Sequence, residues 1–316
     1  MISAIAYRLL QAVPTLLGVS VLVFFLLTLT GDPVRQMLGP EASAEAIRQL
    51  RHELRLDQPA AWRYFSWLKG LMEGDFGRSY TTRRPVAETL REKLPATIEL
   101  AATVMFLATL ISILIATLSV RKPGGWFDGG ARTVIFIFLA MPSFWLGIEL
   151  IILFSRKFPL FPPAGRGQEG LGDHLAHLAL PALTLGIGTS ASLCRILRAA
   201  LLDVLNTDYI RTAYAKGLAP RAVLVRHALR NALIPYVTLS GLSIAALLEG
   251  SIVVETVFAW PGIGLMMIDA IKSRDAPTAM AGVLLVAVIY VAVNMIVDVL
   301  YVVIDPRVRL EGGAKA

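Results

Sequence analysis

Charged positions are sparse along this chain, and they cluster. Residues 9–31, between Arg8 and Asp32, are 23 uncharged positions, and residues 100–120, between Glu99 and Arg121, are 21. Each run exceeds the roughly 18–20 residues that cross a hydrocarbon core as a helix. Four further apolar segments follow: 133–154, interrupted only by Glu149; 174–194, without a formal charge; 231–248, after Arg230; and 276–297. The pattern predicts six spanning helices. The fifth is the hardest to delimit, because apolar text continues past Glu249 and Glu255 to Met267, broken by Pro261, Gly262 and Gly264. Residues 256–268 read as a short re-entrant or interfacial element, too short to cross and interrupted by Gly and Pro. The first run is longer than a signal-peptide core of about 7–15 residues and lacks a small-x-small cleavage site, so it reads as a retained anchor.

Composition agrees. Of 316 residues, 56% are hydrophobic and 17% charged, and the mean hydropathy is +0.65, a poor match to a water-exposed surface and so to a soluble enzyme. The expected organisation is an all-α polytopic membrane protein: an anchor helix (1–30), a small extracytoplasmic helical cap (31–99), a transmembrane core (100–304) containing a cytoplasmic loop (195–232), and a tail (305–316).

Orientation follows from Lys and Arg in the short connections. The segments 121–132 and 195–230 and the tail carry thirteen basic residues, against five in the connections on the opposite side. The positive-inside bias then places both termini in the cytoplasm of a prokaryotic inner membrane. The 30–99 connection has 11 basic and 10 acidic residues, and its length removes it from that count. The net charge of +7 belongs to these anchoring residues and gives no reason to invoke nucleic acid. The single cysteine, Cys194, excludes an intrachain disulfide and a cysteine metal cluster, and reads as packing near a helix end.

The outer connection predicts a folded cap. Ser43 is placed to N-cap a helix with Ile47, Leu50 and Leu54 on one face, and a second helix follows Pro59 with Trp62, Phe65, Trp67 and Leu68. Asp75-Phe76-Gly77 and Arg83-Arg84-Pro85-Val86 read as a turn into the next helix. Either a structural lid or a docking surface fits this composition. In the inner connection, two short helices separated by Gly217 would form a knob, with Gly217 suited to a left-handed helix end. Small Ala213 and Ala215 would let a partner approach, and Lys216, Arg221 and Arg226 would meet acidic groups. A basic loop that only fixes topology fits as well.

Ala213-x-x-Lys216-Gly217, followed by Ile234-Pro235, resembles the signature loop of the permease subunits of binding-protein-dependent ABC importers. Leu56-Asp57-Gln58-Pro59, Gly74-Asp75-Phe76-Gly77, Leu94-Pro95-Ala96-Thr97, Met141-Pro142-Ser143-Phe144-Trp145-Leu146, Leu180-Pro181-Ala182, Val257-Phe258-Ala259-Trp260-Pro261-Gly262-Ile263-Gly264, Gly31-Asp32-Pro33 and Asp305-Pro306-Arg307 extend the resemblance over nearly the whole chain. They are similar to the dipeptide, oligopeptide, nickel and glutathione branch. Thr212 stands where other branches carry the loop's glutamate, which removes one charge.

The resemblance implies a heterodimer with a second homologous permease, two ABC ATPase subunits and an extracytoplasmic solute-binding protein, with solute moved by alternating access. It implies an ATPase-coupling site at Thr212, Ala213, Lys216, Gly217, Leu218 and Arg221. The chain has no Gly-x-x-x-x-Gly-Lys-Ser/Thr loop, so ATP and Mg are expected on the partner subunits, with no cofactor and no catalysis here. Candidates for the pathway or a gate are Glu149, Ser240, Ser243, Glu249 and Glu255, since intramembrane ionisable groups are costly unless they face protein or water. Headgroup snorkelling for Glu149 and helix packing for the serines fit equally. His174 and His177 lack a third ligand, and no metal is expected. Peptides are the preferred solute, with nickel chelates or glutathione as alternatives. A stand-alone channel or secondary transporter coupled through Glu149 or Glu249 is the reading of a different class. An intramembrane enzyme lacks paired catalytic groups in the spans.

Overall fold

The computed structural model describes residues 2–29, 33–39 and 41–304. Gly31-Asp32 and the tail from Asp305 lie outside the described residues. Among those described the chain is helical: α1 Ile2–Leu29, α2 Pro33–Leu38, α3 Ala44–Glu53, α4 Ala60–Met72, α5 Val86–Ser119, α6 Trp126–Ala140, α7 Ser143–Ile151, α8 Leu171–Leu205, α9 Asp208–Ala215, α10 Pro220–Ala222, α11 Leu229–Val257, α12 Ile263–Lys272 and α13 Ala276–Ile304. Wider π-helical turns extend α7 over Ile152–Lys157 and join α10 to α11 over Val223–Ala228. Among the described residues four helices are long and apolar enough to cross a membrane, and up to six spans result if each of two bent pairs counts as one.

Three boundaries differ from the sequence expectation. The 133–154 segment is broken, with α6 and the α7 helix meeting at 102° across Met141-Pro142. Proline disfavours the helical conformation in the residue before it, and Met141 is extended (φ −81°, ψ 129°). The fourth helix continues to Leu205, so the inner connection begins near 206 and Cys194 is buried in mid-helix, away from any helix end. The second knob helix is no separate piece: helical structure runs from Pro220 to Val257, bending by 42° between Val237 and Leu239. The 256–268 element resolves into a turn after α11 and a distinct, largely buried helix, α12.

The chain divides into two compact units. The first comprises Met1–Ile98 and Pro261–Val291. Here α1 meets α4 through Phe24, Tyr64 and Met280, with Ser20 Oγ 2.8 Å from the Tyr64 hydroxyl. Away from this contact α1 exposes Leu22, Leu26 and Leu29, as a lipid-facing helix does. Ser43 caps α3 by accepting the Ala46 N–H at 3.2 Å, and α4 starts directly after Pro59. The turn before α5 is held by Asp75, which accepts the Gly77 N–H at 2.8 Å, and by pairing of Arg78 with Pro85. Asp275 is buried and accepts from Ser79 Oγ (2.5 Å), Tyr80 N (2.9 Å) and Thr278 Oγ1 (2.8 Å).

The second unit comprises Glu99–Trp260 and Ala292–Ala316. Its centre is α8, packed by α6, α7 and α11 around Leu193, Leu197 and Leu201. Ser112 and Tyr236 share a buried hydroxyl hydrogen bond of 2.7 Å. Gly241 permits close helix approach: a Cβ there would lie 2.2 Å from a Val297 methyl.

Candidate functional site

The knob is built from α9, the Gly217 turn and the start of the helix at Pro220. Asp208 lies in the first turn of α9, where a carboxylate complements the helix dipole, and pairs with Arg211 at 3.1 Å. Both groups are solvent-exposed, so this pair contributes little stability. Ile210 and Ala213, three residues apart, turn inward onto Val223, Leu224 and Ala228. Gly217 (φ +78°) ends α9: its N–H donates to Tyr214 O at 2.9 Å, and the Leu218 N–H donates to Ala213 O at 3.3 Å. Pro220 at the first position of the next helix restarts it.

This geometry sorts the predicted coupling residues. Thr212, Lys216, Leu218 and Arg221 lie outside, the Thr212 hydroxyl donating to Asp208 O at 3.0 Å. Ala213 is only 7% exposed, so its small size serves this chain's own packing and not, as expected, the approach of a partner. Sequence reasoning missed Tyr209, Tyr214 and Val225, which are 45%, 44% and 53% exposed beside the basic residues. Aromatic, apolar and Arg side chains together on an exposed face are the composition of an interface centre. Their spacing out of phase with Ile210 and Ala213 was the available signal.

The second unit also holds a buried ion pair that no sequence motif indicates. The Asp128 carboxylate is inaccessible to solvent and accepts from Arg198 Nε at 2.6 Å, Arg198 Nη2 at 2.8 Å and the Gly124 N–H at 2.9 Å. This forked geometry joins the start of α6 to α8.

The predicted pathway residues lie on two helices, α7 and α11. Glu149 is exposed on α7, beside the buried pair Leu146 and Gly147. The Ser240 and Ser243 hydroxyls donate to carbonyls of their own helix, Val237 O (2.8 Å) and Leu239 O (3.1 Å). Glu255 is fully buried near the end of α11, behind any surface that a docking partner would touch. Glu249 is on the same helix, and its side chain lies outside the described residues. His174 belongs to another cluster: its Nδ1 faces Arg166 O at 2.8 Å, and its Nε2 meets Glu99, which also binds Arg166 at 2.6 Å. Both ring nitrogens therefore have protein partners. His177 Nδ1 is engaged with Asp173 O at 2.9 Å.

Residues 94–310 match the family model of the binding-protein-dependent transport system inner membrane component, and residues 1–101 match the model of its N-terminal region. The chain belongs to this family. The permease is 41% identical to the di/tripeptide transport system permease protein DppB of Pseudomonas aeruginosa, the match covering 98% of this chain and 99% of the relative. It is 40% identical to the glutathione transport system permease protein GsiC of Escherichia coli K12, with the same coverage. Among solved structures, the MetNI methionine ABC transporter in an inward-facing form aligns with a TM-score of 0.57 at 19% identity, over 69% of this chain and 96% of that one. An amino acid ABC transporter solved with histidines aligns with a TM-score of 0.52 at 15% identity, over 68% and 93%. The permease thus shares the transmembrane fold of these ABC transporters. It is a non-catalytic, multi-pass inner-membrane subunit, and ATP hydrolysis falls to separate ATPase subunits.

Proposed function

We propose that this permease imports di- or oligopeptides, working as a heterodimer with a second homologous permease, two ATPases that bind ATP and Mg, and an extracytoplasmic binding protein. The observation that carries the solute class is the near-complete, 41% identical match to a di/tripeptide permease. The 40% identical glutathione permease supports the same chemistry, since glutathione is itself a tripeptide. Both termini lie in the cytoplasm on this reading, which the thirteen-to-five distribution of basic residues supports. The knob then meets an ATPase with Tyr209, Thr212, Tyr214, Lys216, Leu218 and Arg221 outward, and Gly217 sets the turn between its two helices. Closure of the ATPase pair on ATP moves the knob, and with it the helix running from Pro220 to Val257. In this way the open side of the pathway alternates.

The reading is tested by ATPase activity of the reconstituted complex with its own binding protein, loaded in turn with dipeptides, longer peptides, glutathione and a nickel chelate. Stimulation by a peptide class is expected. A flat response to every peptide together with a response to the nickel chelate overturns the solute assignment.

A further inference from the structure

Within the first unit a cavity of about 710 Å³, open to solvent, lies between the cap, α1 and the α12–α13 turn. Its wall is chemically lopsided. Four guanidinium side chains line it, those of Arg51, Arg55, Arg63 and Arg274, while Asp75 is the only carboxylate among the described lining residues. One oxygen of Asp75 already accepts the Gly77 N–H. Between the arginines the wall is apolar and aromatic, with Phe24, Leu54, Trp67, Phe76 and Met280. Arg63 stacks over the Phe24 ring, 5.8 Å from its centre. Tyr80, on the same wall, keeps its phenolic proton, because burial pushes its pKa up against the pull of Arg63.

Backbone conformation separates two of these arginines from ordinary surface residues. Among the described residues five helices, α3, α4, α9, α11 and α12, end in the same way: a left-handed residue donates its N–H back into the last turn, and the next residue donates to a carbonyl one position earlier. Gly74 and Gly217 fill that position after α4 and α9, at no steric cost, and Ala259 fills it after α11. After α3 and α12 it is filled by Arg55 (φ 54°) and Arg274 (φ 53°). A side chain in this conformation costs about 1–2 kcal/mol relative to glycine. Both of these arginines, at left-handed backbone positions, belong to the wall of the same cavity. Helix termination does not call for arginine at either place, so the guanidinium groups need a reason of their own.

We propose that the cap cavity is an oxyanion-binding site that takes a carboxylate or phosphate carried on an apolar stem. Arg55, Arg63 and Arg274 supply charge-assisted donors for the anion, and the Phe24–Trp67–Met280 side receives the stem. An anionic phospholipid and a hydrophobic solute with a free carboxylate both have this chemistry. The site is independent of the solute class proposed above, since it concerns binding by this chain without transport.

The test uses the full-length permease in phosphatidylcholine nanodiscs, titrated with two matched pairs. One pair is dihexanoyl phosphatidylglycerol and dihexanoyl phosphatidylcholine; the other is leucyl-phenylalanine and its C-terminal amide. Binding is read from the intrinsic fluorescence component that Trp67→Phe removes. The anionic member of at least one pair is expected to saturate the signal and to bind about tenfold or more tightly than its neutral counterpart. Arg55→Gly/Arg274→Gly is expected to abolish that preference without lowering the thermal midpoint, because glycine suits both backbone positions. Should the glycine pair lower the midpoint, Arg55→Gln/Arg274→Gln, which keeps both Cβ atoms, gives the same reading. A response confined to the phospholipid pair identifies a lipid site, and one confined to the dipeptide pair a solute site. Equal binding of charged and neutral members, failure of every probe to saturate, or unchanged affinity in both double variants overturns the proposal.

Discussion

The knob and the cap close their helices with one backbone motif and fill it differently. In the knob the left-handed position is Gly217, and a Cβ built there would find nothing within 4 Å. In the first unit the same position is Arg55 of the cap, after α3, and Arg274, after α12. The knob's turn thus carries no side chain and leaves Tyr214 and Leu218 as the exposed apolar groups beside it, whereas the first unit has two cavity-lining arginines at left-handed positions. Each unit also holds a buried aspartate of its own kind. Asp128 is paired with a full charge, Arg198; Asp275 is held by two hydroxyls and one amide.

This contrast orders the expected effects. Asp128→Ala strands the Arg198 guanidinium and is expected to cost about 3–5 kcal/mol, seen as a large fall in the thermal midpoint of the purified permease. Asp275→Ala removes only the acceptor for neutral donors, and about 1–3 kcal/mol is expected in the same assay. Equal losses would mean that the two aspartates are not distinguished by the charge of their partners. The smallest effects separate the helix ends. Gly217→Ala meets no clash, so its cost is conformational, about 1 kcal/mol. Arg55→Gly is expected to leave the midpoint unchanged or to raise it by an amount equivalent to about 0.4–1 kcal/mol, the reverse sign. A fall on Arg55→Gly as large as that on Gly217→Ala would remove the distinction between knob and cap.

What the sequence made legible was local. The Ser43 cap, the helix after Pro59 and the Gly217 helix end each depend on residues within about one turn of one another. Six apolar runs were countable because a spanning helix has a minimum length. The break at Met141-Pro142 escaped the count, since hydropathy does not register a change of direction, although the proline itself carried the signal. Ala213 was misread because smallness in a sequence does not say which way a side chain points; its three-residue offset from Ile210 did. The Asp128–Arg198 pair and the Glu99–Arg166–His174 cluster were out of reach. Their members lie 70, 67 and 75 residues apart, and only the packed helices bring them together.

The central claim is that the exposed side of the knob meets an ATPase while Ala213 serves the fold. Cysteine scanning from Tyr209 to Arg226 in a Cys194→Ala background, with cross-linking to the co-expressed ATPases, tests this most directly. The account predicts cross-links from Thr212, Tyr214, Lys216, Leu218 and Arg221 and none from Ile210, Ala213 or Val223. Cross-linking from the buried set, or from no position in a complex that is isolated intact, would contradict it.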